Sequence, residues 1–324
     1  MNNEKLSFVI PCYGSENTIK DVIEEIITTI GSKNKYEIIC VNDCSPDNVL
    51  SVLKELAFSN NNIKVIDLAK NSGKHSAMMA GYRYCSGDVI INLDDDGQCP
   101  AYRLYELVEV LHNEYDVAMA HYGVKNQSAF KNFGSKFNDL TVDYLLDKPK
   151  DIQITNFSAF KKFVVDEIIR YENPYPYVEG LMLRTTLNIK NISMENRDRL
   201  EGKSNFTLKK MVSLWLNGFT AFSVKPLRIS TVLGIISSLV GFIYGIWIVI
   251  KKLFVDPSLP IGYSSIMAAI MFIGGELMLV LGLIGEYIGR IYISINNAPQ
   301  YVVRETVNVN KDKNKKELDK VYEI

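Results

Sequence analysis

Asp94-Asp95-Asp96 follows directly on the apolar run Val89 to Leu93, so three adjacent carboxylates arrive at the mouth of what reads as a buried strand. Parallel α/β sheets bind ligands at that edge. Adjacent anions repel one another, and a hard divalent cation that also holds phosphate oxygens supplies the compensating charge. These residue types fit a grip on a metal-bound diphosphate.

The second strand ends in Val41-Asn42-Asp43-Cys44-Ser45-Pro46-Asp47, which sets Asp43 on the same sheet edge as Tyr13 and Asp96. A carboxylate there is able to accept a base N–H. Taken alone, Asp43 reads first as a turn or helix-cap residue, and Asn71-Ser72-Gly73 as a turn before a helix. The first strand ends in Pro11-Cys12-Tyr13-Gly14-Ser15-Glu16 without the GxGxxG that seats a dinucleotide, which disfavours a redox cofactor. Gly202-Lys203-Ser204 imitates the end of a P-loop, but Arg197 stands where that motif needs glycine and no strand precedes it, so an ATPase is excluded. His75, His112 and His121 have neither metal-ligand spacing nor a paired nucleophile, and His75 draws interest only because it follows the Asn71 to Gly73 turn.

The elements that must position these residues are legible from periodicity. Leu6 to Pro11 is an apolar run ended by proline, and Ile19, Val22, Ile23, Ile26, Ile27 and Ile30 recur at helical spacing. The cycle repeats through strand Tyr36 to Val41, a helix around Leu50, Leu53 and Leu56, strand Ile63 to Leu68, helix Ser76 to Cys85 and strand Val89 to Leu93. Such alternation predicts an α/β fold with a mainly parallel sheet. A helix from Pro100 to about His112 and a strand at Val117 to Ala120 follow, and the sheet is expected to end near there. Phe130, Phe133, Phe137, Leu140 and Tyr144 then mark an amphipathic helix, with Lys131 and Lys136 on other faces; a membrane-surface helix and an ordinary core helix fit the pattern alike.

Ile229 to Ile250 carries no charge and is long enough to cross a bilayer, and Ile261 to Ile288 is a second apolar segment of sufficient length. The short connector Lys251 to Pro260 makes them a helical hairpin. Lys209, Lys210, Lys225 and Arg228 before it, with Arg290 and Arg304 after it, outnumber Lys251 and Lys252 in the connector, so the positive-inside rule puts both ends in the cytoplasm. Gly241 with Gly245, and Gly285 with Gly289, give each helix a small face for packing on its partner or on another subunit. Glu276, inside the second span, is expected to be protonated or to find a polar partner such as Ser237 or Ser238, in a structural role. The predicted division is a cytosolic catalytic domain over 1–225 with juxtamembrane helices, a transmembrane pair over 226–290, and a cytosolic tail over 291–324 whose Lys311 to Lys320 stretch is solvated.

Lys+Arg 36 against Asp+Glu 37 leaves a formal net charge of -1, which gives no reason to expect a nucleic-acid partner. Cys12, Cys40, Cys44, Cys85 and Cys99 lack paired zinc spacing and read as reduced cysteines. Met1 to Lys5 leads straight into a strand without a secretory signal, so the globular part is expected inside the cell.

Together these segments resemble glycosyltransferase family 2, and within it the polyprenyl-phosphate glycosyltransferases, over nearly the whole chain. The family pattern PxYNxE appears as Pro11 to Glu16 with Gly14 replacing asparagine, and DDGSxD as Asn42 to Asp47 with Asn42 and Cys44 departing from it. NxGxxxAxxxG matches Asn71, Gly73, Ala77 and Gly81, and DxDxQxP matches Asp94, Asp96, Gln98 and Pro100. The segment RxxGxSK is carried by Arg199, Gly202 and Ser204, with Asn205 replacing the lysine and Lys203 one position earlier.

That resemblance implies a GT-A fold. It implies that Pro11, Tyr13, Glu16 and Asp43, with Asp94, bind the nucleotide, and that Asp94 and Asp96, the latter with Gln98 as metal ligand, organise Mg²⁺ or Mn²⁺ and the diphosphate. Arg197, Arg199, Lys203 and Ser204 are the candidate acceptor-phosphate residues, Arg199 also being assigned to catalysis; the plain reading of that segment is a solvated loop paired to Asp198 and Glu201. The expected reaction is inverting transfer from a nucleotide sugar to a polyprenyl phosphate at the bilayer surface, by a protein that is reasonably a homo-oligomer. The rivals are a processive polysaccharide synthase, which the lack of a QxxRW setting around Trp215 and Trp247 disfavours, and a non-catalytic membrane-anchored sugar-nucleotide or lipid-binding subunit.

Overall fold

The structure is a computed structural model and describes residues 4–123, 149, 151–195, 197, 225–254, 262–296 and 298–309. The amphipathic helix expected around Phe130 to Tyr144, the residues Arg199, Lys203 and Ser204, and the stretch Lys311 to Lys320 lie outside the described residues. The chain divides into two compact units, Met1–Thr207 with Ala298–Ile324, and Leu208–Asn297.

In the first unit β1 (Lys5–Cys12), β2 (Lys35–Asn42), β3 (Ile63–Leu68) and β4 (Val89–Asn92) alternate with α1 (Ile19–Ile30), α2 (Val49–Ser59) and α3 (Lys74–Tyr82). β1 pairs in parallel with both β2 and β4, and β2 with β3. Strands covered on both faces need apolar residues on both, which is why these read as near-continuous apolar runs. Leu6, Phe8 and Ile10 share one core with Ile19, Ile23 and Ile26 of α1, Leu53 of α2, and Leu104 and Leu107 of α4 (Leu104–His112). α3 lies against the opposite face: a Cβ on Gly81 would meet Val9 Cγ1 at 2.5 Å, so glycine is what lets the helix approach β1.

The sheet does not end with β5 (Val117–Tyr122), as the sequence had suggested. β6 (Ser158–Lys161) inserts between β4 and β5, antiparallel to both, and β7 (Ile189–Met194) adds to β5 in parallel. α5 (Lys162–Ile168) and α6 (Val178–Thr185) join these strands. After the second unit the chain returns as β8 (Val303–Val307), antiparallel to β3, so part of the expected tail is a sheet strand. The order is β7-β5-β6-β4-β1-β2-β3-β8. Arg304 and Glu305 on β8 are the charged residues that suit an edge.

The second unit holds α7 (Lys225–Phe254) and α8 (Tyr263–Ile295), both long and apolar enough to cross a membrane. Their large apolar residues point outward, Phe242 being 68% exposed and Leu277 57%, the reverse of a water-soluble helix pair. Among the described residues a Cβ on Gly241, Gly245, Gly285 or Gly289 would meet nothing within 4 Å, so the glycine faces do not pack on each other in one protomer. Oε1 of Glu276 is buried next to Gly234 and has no hydrogen-bond partner among the described residues; the bond expected from Ser237 or Ser238 is not made to that atom.

Candidate active site at the switch between β1 and β4

From β1 the sheet grows one way through β2 and the other through β4, so their C-terminal ends frame the crevice where open α/β sheets take ligands. Tyr13 follows β1, and Asp94, Asp95 and Asp96 follow β4. The backbone N–H of Tyr13 donates to Asp95 Oδ2 at 2.9 Å, and Thr18 Oγ1 donates to the Asp95 carbonyl at 2.6 Å. Asp95 is thus the inward carboxylate. Burial pushes it up to about 6, a rise that the Tyr13 N–H opposes and that the charges of Asp94 and Asp96 reinforce.

Asp94 is held from two sides. Lys74, at the start of α3, donates its ammonium to Oδ1, and Asn156 Nδ2 donates to Oδ2 at 2.7 Å. Burial works against the Lys74 charge, but the charge and hydrogen bond of Asp94 outweigh it and raise that pKa above the usual lysine value. Asp96 Oδ1 accepts the Gln98 backbone N–H at 3.1 Å, and Gln98 Nε2 donates to the Arg197 carbonyl at 3.1 Å.

The loops after β1 and β2 are laced together. Gly14 N–H donates to Ser45 Oγ at 2.7 Å, Glu16 N–H to Asp47 Oδ2 at 2.9 Å, and Asn48 N–H to Glu16 Oε2 at 2.7 Å. Gly14 has φ +72°, a conformation that glycine and asparagine tolerate best, which explains the exchange of one for the other in the family pattern. Cys44, standing where the pattern has glycine, adopts φ 49° and carries the strain. Asp43 is 4% exposed and accepts the N–H groups of Ser72 at 2.6 Å and Gly73 at 2.9 Å. Burial raises its pKa against the pull of those two bonds. The turn reading of Asp43 and that of Asn71 to Gly73 are one structure. Tyr13, 45% exposed, presents its ring beside these loops.

Arg197 Nη1 bonds both Glu25 oxygens, at 3.0 and 2.9 Å, and its guanidinium lies 4.8 Å from the centre of the Tyr102 ring. Its charge is engaged by α1. Arg199, Lys203 and Ser204 are outside the described residues, so Arg197 alone represents the expected basic set.

Sequence reasoning passed over Lys74 and Asn156. A lysine directly after the Asn71 to Gly73 turn, at the ligand edge of the sheet, was an available signal for the first. Asn156 sits in a stretch without periodicity and had none.

Among the described residues no group of three or more His, Cys, Asp or Glu side chains gathers into a protein-only metal cage. The oxygen donors present still suit a hard cation of the magnesium type, which takes one or two carboxylates and completes its shell with phosphate oxygens and water. With Asp95 turned into the fold, Asp94 and Asp96 are the carboxylates left for that purpose, and Gln98 adjoins them.

Residues 7–169 match Glycosyl transferase family 2, and residues 225–291 match the GtrB C-terminal hairpin. The chain is 32% identical over 308 residues to the uncharacterized glycosyltransferase YkcC of Bacillus subtilis, covering 94% of each protein. It is 28% identical over 319 residues to the undecaprenyl-phosphate 4-deoxy-4-formamido-L-arabinose transferase of Proteus mirabilis, covering 97% of this chain and 98% of that one. The glucosyl-3-phosphoglycerate synthase of Mycobacterium tuberculosis, solved with Mn²⁺, UDP-glucose and phosphoglyceric acid, shares the fold with a TM-score of 0.51 at 15% identity, over 66% of this chain and 76% of that one. With a carboxylate-lined switch point, a matching hairpin and relatives aligned almost end to end, the chain belongs to glycosyltransferase family 2.

Proposed function

We propose that the protein transfers a sugar, with inversion, from a UDP-sugar to a polyprenyl phosphate at the cytoplasmic face of a bacterial inner membrane. The observation that carries the reading is the Lys74 and Asp94 pair at the β1 and β4 switch, an anion site and a cation site placed side by side. The hairpin match and the undecaprenyl phosphate in the name of the Proteus relative support the lipid acceptor, and the mycobacterial structure with Mn²⁺ and UDP-glucose supports the donor and the metal.

In this reading Pro11, Tyr13, Glu16 and Asp43 hold the nucleotide. Tyr13 offers a ring face to the base, while Glu16 and Asp43 fix the loops and keep carboxylate lone pairs beyond those their backbone donors use. Asp94, Asp96 and Gln98 would hold Mg²⁺ or Mn²⁺, which when bound neutralises charge on the departing diphosphate. Lys74 places its ammonium next to the same oxygens. The acceptor phosphate is already ionised at neutral pH, so attack on the anomeric carbon needs positioning rather than a general base. Arg199, Lys203 and Ser204 receive that phosphate, and Arg197 joins them only by leaving Glu25. Both termini lie in the cytoplasm, and the open glycine faces serve contacts between subunits.

The test is incubation of purified full-length protein with undecaprenyl phosphate, Mg²⁺ or Mn²⁺, and a panel of UDP- and GDP-sugars, with mass spectrometry of the extracted lipid. A single sugar on the lipid phosphate, abolished by EDTA, is the expected product. Polymer, or donor binding without any turnover, overturns the proposal.

A further inference from the structure

Beside Asp94 lies a small pocket of about 10 Å³, room for one water-sized group, lined among others by Asn92, Asn156, Glu179, Met78, Met182 and Phe160. Its position in the fold follows from the topology. Asn92 ends β4, Asn156 precedes β6, Met78 belongs to α3, and Glu179 and Met182 belong to α6.

Two oxygen acceptors on residues that line this pocket are buried and, among the described residues, without a hydrogen bond. Asn92 is 3% exposed and donates its amide nitrogen to Tyr82 Oη at 2.6 Å and Ser158 Oγ at 3.4 Å, which leaves Oδ1 without a partner. Oε2 of Glu179 is likewise buried and without a hydrogen bond. Nδ1 of His75 lies 3.3 Å from it but is itself without a hydrogen bond, so proximity has not become a bond. The His75 ring is fixed by edge contact with Tyr177, centroids 5.2 Å apart at 78°. Buried acceptors are normally satisfied, and the hydroxyls that also line the pocket are turned elsewhere, Thr155 Oγ1 to the Ala120 carbonyl at 2.8 Å and Ser158 Oγ to the Asn156 carbonyl at 3.4 Å.

The pocket adjoins the diphosphate site rather than standing apart from it. Asn156, exposed at the mouth, is the residue that donates to Asp94 Oδ2, and Lys74 on the other Asp94 oxygen is the chain neighbour of His75. A sugar joined to a diphosphate at Asp94 starts next to this opening.

We infer that the pocket receives one free hydroxyl of the donor sugar, which donates its single hydrogen to Glu179 Oε2, and that Glu179 determines donor specificity. A space this small admits a hydroxyl and excludes an acylated amine at the same ring position, which is too large. The inference rests on the donor-sugar reading above and narrows it to sugars unacylated at that carbon.

The test compares full-length wild type with Glu179→Gln and Glu179→Ala, using undecaprenyl phosphate and the preferred UDP-sugar with its monodeoxy analogues. Wild type should lose about 100-fold in kcat/KM for the analogue lacking one particular hydroxyl, and less than about tenfold for the others. Both variants should compress that preference to below about tenfold, while calorimetry shows UDP affinity within about twofold of wild type. An equal effect of Glu179→Gln on every analogue means that the pocket holds a structural water only, and overturns the inference. Absence of transfer from any donor, together with equal affinity for UDP and UDP-sugars, overturns the donor reading and this inference with it. Transfer with an unchanged hydroxyl preference in both variants overturns the inference alone.

Discussion

The Tyr13 backbone N–H donates to Asp95 Oδ2 at 2.9 Å, so the middle aspartate of the acidic run is a strut between the ends of β1 and β4. Its neighbours on either side are left to the crevice. Asp95→Asn keeps an oxygen for Tyr13 and removes a charge that burial disfavours, so transfer should stay within about tenfold of wild type. Asp96→Ala should lower transfer about 1,000-fold while membrane extraction is unchanged. Side-by-side turnover measurements decide this, and full activity of Asp96→Ala would remove that residue from the site.

Lys74 is the cation that balances Asp94, and under the proposed reaction it is the group that meets the diphosphate of the donor. Lys74→Met retains the chain length and loses the charge. We expect kcat to fall about 100-fold and UDP affinity about tenfold, read by single turnover and calorimetry. Unaltered values for both would reduce Lys74 to charge balance for Asp94.

Far from the crevice, Glu37 on β2 accepts Lys5 Nζ at 2.6 Å, Lys64 Nζ at 2.8 Å, Ser7 Oγ at 2.6 Å and the Ser86 N–H at 2.6 Å. Burial works against its charge, yet these donors take the carboxyl down from 4.5 to about 2. A carboxylate depressed in the folded state contributes stability that is present above pH 4.5 and lost as pH falls toward 2. Glu37→Gln should cost about 2 kcal/mol at pH 7, a figure reduced for solvent screening at the two lysines. The gap between wild type and variant should close between pH 4.5 and 2 in thermal melts. A gap constant across that window would contradict the assignment.

What was legible in the sequence follows from where each element sits. β1 to β4 are buried on both faces, so their apolar runs announce themselves, and with them the shared edge of Tyr13, Asp43 and Asp96. β6 is the four-residue Ser158-Ala159-Phe160-Lys161, too short to show a period, and β8 is polar because it forms an edge. Pairings such as Lys74 with Asp94 and Asn156 with Asp94 join residues 20 and 62 positions apart, and no local pattern encodes them. The hairpin was plain from hydropathy, but the environment of the Glu276 Oε1 atom depends on how two helices face each other.

β8 also connects to the loops after β1 and β2 through a line of polar contacts. Arg304 Nη1 lies 3.3 Å from Asp67 Oδ2, and its Nη2 donates to the Ala69 carbonyl at 2.9 Å. Asp67 Oδ1 accepts Asn42 Nδ2 at 2.7 Å, Asn42 Oδ1 accepts the Ser45 N–H at 3.1 Å, and Ser45 Oγ accepts the Gly14 N–H at 2.7 Å. Asp67 is 1% exposed, so loss of its cation leaves a buried carboxylate free to pull Asn42 away from the loop. Arg304→Ala should therefore raise KM for the nucleotide sugar about fivefold with kcat within about twofold, and Arg304→Lys should recover part of the difference. A fall in kcat at unchanged KM, or no rescue by lysine, would mean that Arg304 fastens β8 to the sheet without reaching the loop.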